Sequence, residues 1–315
     1  MAIKKIIFFG TSDFAAASLK SLHQAGFSIE LVVTQADQPK GRGQTLSSPP
    51  VKLEAKSFNL KVIQPATIKD QSFLSEIRSF NCDIIVVVAY GKILPAELLT
   101  IPPLGCINVH GSLLPRHRGA APIQWAILHG DSETGVTTMQ MNEKMDEGGI
   151  FLQEKLKLSG KETANEVSEK LSSIGADLLI KTVQLLSENK IKPIPQEHAR
   201  ATYAPKIKKE DGFINWTKSA DIIERMVRAF QPWPSAYCYF QQKMLKIWES
   251  ESVHAAVLTE FCPSQITEIA KEFILVKCGE NSYLKITKLQ KEGKNVTTVR
   301  NFLSGYHIKT GDSFK

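Results

Sequence analysis

Asn108 and His110 stand two residues apart in the run Gly105-Cys-Ile-Asn-Val-His-Gly-Ser-Leu-Leu-Pro-Arg-His-Arg-Gly-Ala-Ala-Pro122. In a β-strand that spacing turns both side chains to one face, so an amide and an imidazole can converge on a single substrate atom. An amide N–H can stabilise a developing oxyanion. An imidazole beside it can do the same when protonated, or take up a proton when neutral. Taken singly, each residue has a structural explanation: a strand-ending histidine is commonly a satisfied packing group, and an asparagine there commonly closes a turn. Asp146, in Lys144-Met-Asp-Glu-Gly-Gly149, would by itself be a solvated residue of a tight turn. The combination of N-x-H, then S-L-L-P, then an acid in a glycine loop is specific. No cysteine or serine sits in an identifiable activated setting.

The elements around these residues predict an α/β catalytic domain. β-type runs at 4–9, 29–34, 61–63, 83–89, 106–110 and 136–141 alternate with helical patterns, which implies βαβ units and a mainly parallel sheet. The run Asp83-Ile-Ile-Val-Val-Val-Ala89 lacks polar alternation, as a central strand covered on both faces should. Asn108 and His110 then lie at a carboxyl strand end, where open α/β sheets generally place ligands. The first βα turn has Gly10 but no further glycine before Gly26, so it lacks the fingerprint of a dinucleotide site, and no nicotinamide is expected. A long amphipathic pattern from Thr163 to Leu186, opened by Thr163 with Glu166 as a capping box, reads as the last helix of a domain spanning 1–189. The proline-rich, charged stretch 190–208 reads as a linker. Beyond it, 209–315 carries one helix at 221–230 and short β-type runs, the pattern of a small barrel or sandwich.

The chain has 315 residues, 43% of them hydrophobic, enough for two cores. No stretch approaches the roughly 18 apolar residues of a membrane span, and no cleavable leader is evident, so a soluble, cytoplasmic protein is expected. Five scattered cysteines without a C-x-x-C pair disfavour a disulfide framework or a zinc site, and no metal is expected. The net charge of +7 is uneven: from Pro205 onward, 17 Lys and Arg face 12 Asp and Glu, which leaves only +2 for the rest. Such a basic region suits a polyanion such as RNA. On charge alone, a solvated surface is the favoured reading.

Together these motifs resemble the folate-dependent formyltransferase family, in which an Asn, a His and an Asp converge on a formyl carbon; here they fall on Asn108, His110 and Asp146. The resemblance runs along nearly the whole chain. It implies a Rossmann-like parallel-sheet formyltransferase domain followed by a smaller OB-like β-barrel domain. It implies 10-formyltetrahydrofolate as co-substrate, bound by Ser112, Leu113, Leu114 and Pro115, with Tyr90 and Gly91 lining the pteridine pocket. In the catalytic trio Asp146 would hold the imidazole in one tautomer and ease its protonation, the orienting role a carboxylate plays in triads.

Three further features are similar to the methionyl-tRNA branch of the family. The loop Asp37-Gln-Pro-Lys-Gly-Arg-Gly-Gln-Thr-Leu-Ser-Ser-Pro-Pro-Val-Lys52 would carry Lys40 and Arg42 into the acceptor stem of initiator tRNA. The stretch 199–216, with Lys206, Lys208 and Lys209, is similar to that branch's link to its C-terminal domain, and the basic, β-rich region that follows would hold tRNA. The implied partners are initiator methionyl-tRNA and the folate, with no membrane and a monomeric chain. The departures are His117, where the family more often has an aromatic residue, and Trp125, where a basic residue is common. An N-formyltransferase acting on an amino-sugar nucleotide would use the same three residues. A non-catalytic RNA-binding protein built on an inactive α/β domain is the rival from another class.

Overall fold

The computed structural model describes residues 3–40, 45–254 and 260–315. It divides into two compact units: residues up to 122, 133–157 and 167–205 form the first, and 123–132, 158–166 and 206–315 the second. Along the chain lie β1 (Lys5–Gly10), α1 (Asp13–Gln24), β2 (Ser28–Val33), β3 (Gln38–Lys40), β4 (Thr45–Ser47), α2 (Pro50–Ser57), β5 (Val62–Ile63) and α3 (Gln71–Ser79). There follow β6 (Ile84–Val88), α4 (Ala96–Leu99), β7 (Cys106–His110), β8 (Arg118–Gly119), α5 (Pro122–His129), β9 (Glu133–Gln140), β10 (Ile150–Lys157), α6 (Ala164–Ser187) and β11 (Tyr203–Ala204).

Seven strands of the first unit form one sheet in the order β10-β9-β7-β6-β1-β2-β5. The five from β7 to β5 run parallel, while β9 and β10 are antiparallel additions. The chain builds outward from β1 through β2 and β5, then returns to place β6 and β7 on the other side, so strand order reverses beside β1, the kind of crevice where such sheets take ligands. Ile6, Ile7, Phe8 and Phe9 of β1 are fully buried, and β6 is apolar throughout, because both faces of these strands are covered. Each such side chain contributes about 1.5–3 kcal/mol by leaving water.

Residues 190–205, expected within a linker, are not a free connection. Ile194 and Ile150 exchange backbone hydrogen bonds of 2.8 Å, and β11 pairs in parallel with β8. Proline and charge make the stretch look like a tether, but its amides complete the edges of neighbouring strands.

The second unit holds α7 (Ala220–Ala229), β12 (Ala236–Phe240), β13 (Lys243–Val253), β14 (Ile266–Ile269), β15 (Ile274–Lys277), β16 (Tyr283–Lys291), β17 (Val296–Thr298) and α8 (Val299–Leu303). The antiparallel order is β12-β13-β16-β15-β14, with β17 also on β16. Residues 311–315 bond to both edges: Phe314 N–H donates to Ser264 and Ile266 N–H to Asp312 on one side, and Lys315 and Tyr239 exchange bonds on the other. The sheet is thereby closed into a barrel, one of the two forms, barrel or sandwich, that the β-rich patterning allows. Ile223 and Val227 of α7 join its core. Among the described residues no helix is long and apolar enough to cross a membrane, and no cluster of three or more His, Cys, Asp or Glu could hold a metal ion.

Candidate active site

β7 carries Asn108 and His110 to the carboxyl edge of the sheet. Val109, on the opposite face, packs toward Gly175 of α6, where an added Cβ would lie 3.1 Å from a Val109 methyl. Asn108 lies between Val87 of β6 and Met139 of β9, and His110 is opposite Thr137. Asn108 is half-buried, and among the described residues no hydrogen bond reaches its side-chain amide.

His110 is buried. Its Nε2 lies 2.9 Å from the carbonyl oxygen of His117. A carbonyl can only accept, so Nε2 carries the hydrogen and donates. Nδ1 faces Asp146, with Oδ2 at 3.7 Å. The neutral ring therefore keeps its lone pair on Nδ1. The neutral tautomer is thus fixed by the His117 carbonyl, where Asp146 was expected to fix it, and Asp146 stands beside the other ring nitrogen.

Asp146 sits in the loop joining β9 to β10, half-buried, with φ of +53°. Aspartate is among the few residues that tolerate this left-handed backbone. Its Oδ2 accepts from Gly119 N–H at 2.8 Å. Two residues on, a Cβ at Gly148 would collide with the Gln140 carbonyl oxygen, so glycine is needed where the loop closes. The structure thus sets Asp146 beside His110, with Asn108 two residues back on the same strand.

The loop leaving His110 is pinned by Thr137, whose Oγ1 donates to the Ser112 carbonyl at 2.7 Å and accepts from Leu114 N–H at 3.1 Å. Ser112 is buried and donates to the Arg116 carbonyl at 2.6 Å, and Leu114 is buried as well. These two shape the loop from within, whereas Leu113 and Pro115 are half-buried and present surface. Tyr90 is a core side chain, edge-on to Phe9 with ring centroids 5.2 Å apart. Burial pushes its hydroxyl up to about 12. Its carbonyl accepts from Thr11 Oγ1 at 3.0 Å and Gln35 Nε2 at 2.6 Å. Gly91 is exposed with φ of +84°.

Lys206, Lys208 and Lys209 are exposed and belong to the second unit. Arg42 and the Lys40 side chain lie outside the described residues. Of the two departures, His117 is buried at φ of +58° and contributes its backbone to the site, and Trp125 packs on His129 with ring centroids 5.4 Å apart. The His117 carbonyl and the Gly119 amide could not be read from residue spacing, because backbone groups leave no pattern in a sequence.

Residues 4–183 match the family model described as formyl transferase, and residues 206–307 the one described as formyl transferase, C-terminal domain. The methionyl-tRNA formyltransferase of Lachnospira eligens is 42% identical over 310 residues, covering 98% of each chain. That of Desulforamulus reducens is 45% identical over 307 residues, covering 98% of this chain and 96% of the relative. The crystal structure of an N-formyltransferase from Helicobacter canadensis, in complex with folinic acid and dTDP-3-aminofucose, superposes with a TM-score of 0.67 at 21% identity, over 92% of this chain and 99% of that one. That structure shares the fold. The full-length relatives go further, and with both domain matches they establish that the chain belongs to the methionyl-tRNA formyltransferase family.

Proposed function

We propose that this chain transfers the formyl group of 10-formyltetrahydrofolate to the α-amine of methionine carried on initiator tRNA. The observation that carries the reading is the pairing of His110 with Asp146 at the carboxyl edge of β7, the strand that also carries Asn108, in a chain with both domains of its family.

Asn108 donates its amide N–H to the oxygen that turns negative as the amine adds to the formyl carbon. Donors of this kind are worth roughly 3–4 kcal/mol where they have been deleted from other enzymes. His110 takes the proton released by the attacking amine on Nδ1, while Nε2 stays on the His117 carbonyl. Asp146 stabilises the resulting imidazolium across the 3.7 Å gap. His110 then returns the proton to the departing N10, so no net proton is consumed. Leu113 and Pro115 offer apolar surface to the flat rings of the folate, on a loop that Ser112 and Leu114 shape from beneath. In the second unit, Lys206, Lys208 and Lys209 supply phosphate attraction, and the loop bearing Lys40 and Arg42 supplies selectivity.

The test is formylation by the purified chain with the folate donor and either initiator or elongator methionyl-tRNA. Strong preference for the initiator is expected. Indifference to the tRNA, or equal use of an amino-sugar nucleotide as acceptor, would sink the reading.

A further inference from the structure

Gln196 is nearly fully buried, fifty positions from the loop it touches. Its Nε2 donates to the carbonyl of Asp146 and to that of Gly148, both at 2.8 Å. Its Oε1 accepts from Arg118 Nε at 3.1 Å and Nη2 at 2.8 Å. All four hydrogen-bonding positions of a primary amide are therefore used, two on the Asp146 loop and two on a guanidinium. Arg118 is itself buried, and its Nη1 lies 3.4 Å from Glu147, the residue after Asp146. Gly119, the residue after Arg118, gives the Asp146 carboxylate its hydrogen bond. The loop is thus held from behind at three successive residues. At the first of them, the backbone is left-handed, a conformation that most L-residues avoid and aspartate tolerates.

We propose that Gln196 is a positioning residue for the transfer reaction: bridging Arg118 and the 146–148 backbone, it sets where the Asp146 carboxylate stands relative to His110. The inference rests on the reading of Asp146 as the partner of His110. Only an amide of this length satisfies the arrangement. A carboxylate at 196 keeps the guanidinium but faces two carbonyl oxygens with no hydrogen to give. A thioether of similar volume loses both sides. A displacement of even an ångström at a catalytic group can cost roughly a hundredfold in rate.

The experiment measures kcat and both KM values for the full chain carrying Gln196→Glu, Gln196→Met, Asp146→Asn, and Gln196→Met combined with Asp146→Asn. Gln196→Glu and Gln196→Met should each lower kcat about 10- to 100-fold while both KM values stay within about threefold, since the residue touches neither substrate. With Asp146→Asn already present, Gln196→Met should cost less than about threefold more, because its effect passes through that carboxylate. Gln196→Glu keeps size and the Arg118 pairing, so its loss of rate, at an unfolding midpoint near that of the unaltered chain, separates positioning from a failure to fold. Full kcat in either Gln196 variant, with Asp146→Asn impaired, overturns the positioning role alone. Multiplicative losses in the double variant do the same. Full kcat in Asp146→Asn overturns the reading of Asp146, and the positioning role with it.

Discussion

His110 Nε2 donates to the backbone carbonyl of His117, seven residues further along the chain, at 2.9 Å. The turn between them folds back so that a main-chain oxygen, which no substitution at 117 removes, fixes the imidazole tautomer. The first prediction is direct: in long-range nitrogen–proton spectra of the histidine rings, His110 carries its hydrogen on Nε2 when neutral. A neutral ring protonated on Nδ1 would mean that Asp146, and not the carbonyl, sets the tautomer.

Removing the groups that meet the substrate should damage turnover while leaving tRNA binding in place. Asn108→Ala and His110→Ala are each expected to lower kcat by about 10²-fold or more, as oxyanion donors and acid–base groups do elsewhere. tRNA affinity, followed by filter retention or fluorescence, should change little because the lysines of the second unit are untouched. Near-normal turnover in either variant removes that residue from the reaction.

How much of this was legible beforehand depends on what each residue packs against. β1 and β6 announce themselves because burial on both faces forces apolar runs, and the capping box of α6 is present as spaced: Thr163 N–H donates to Glu166 Oε2 at 2.8 Å and Glu166 N–H to Thr163 Oγ1 at 3.3 Å. The edge strand β10 (FLQEKLK after Ile150) is half exposed, so it carries little apolar signal. Asn108 and His110 were legible because the pleat has a fixed period. Gln196 was not, since its partners are carbonyl oxygens distant in sequence, and carbonyls look the same at every position.

The base of the β3–β4 hairpin offers a third prediction. Asp37 precedes it and Ser48 follows it, and the Asp37 carboxylate takes Lys52 Nζ at 2.8 Å, Gln64 Nε2 at 2.8 Å and Ser48 Oγ at 3.2 Å. The hydrogen bond from Lys52, and after it that from Gln64, holds the carboxyl below its usual value. A depressed carboxylate gives stability that is present above its unfolded value, about 3.9, and lost as the pH falls through the folded one. Asp37→Asn should therefore loosen the hairpin base and lower kcat/KM for methionyl-tRNA about tenfold or less, with the folate KM unchanged. Unaltered tRNA kinetics would show that the clamp does not position the hairpin.

Thiol chemistry gives a fourth. Cys82, Cys106, Cys238 and Cys278 are buried while Cys262 is exposed. Burial pushes Cys82 up to about 11, Cys106 and Cys278 up to about 12, and Cys238 upward as well. The thiolate is the reactive form, so these four should resist a disulfide reagent at mild alkaline pH. One equivalent should react in the native protein, and five after denaturation. Rapid native labelling of two or more would contradict the packing of these cores.

The last prediction concerns the closure of the barrel. Phe314 is buried, stacks on Trp216 with centroids 5.7 Å apart, and meets Phe240 edge-on at 5.6 Å. Its backbone segment bonds to β14 on one side, and through Lys315 to β12 on the other, so the ring anchors the residues that seal both edges. Phe314→Ala removes the ring and leaves a cavity, a change that costs about 3–5 kcal/mol in well-packed cores. Because the chain has two units, that loss should show as an earlier unfolding step of the barrel rather than one uniform shift. Phe314→Leu, which keeps most of the apolar volume, should recover much of the difference. If urea unfolding of Phe314→Ala coincides with that of the unaltered chain, the segment is not what holds β12 and β14 together, and the barrel must owe its closure to its other strands.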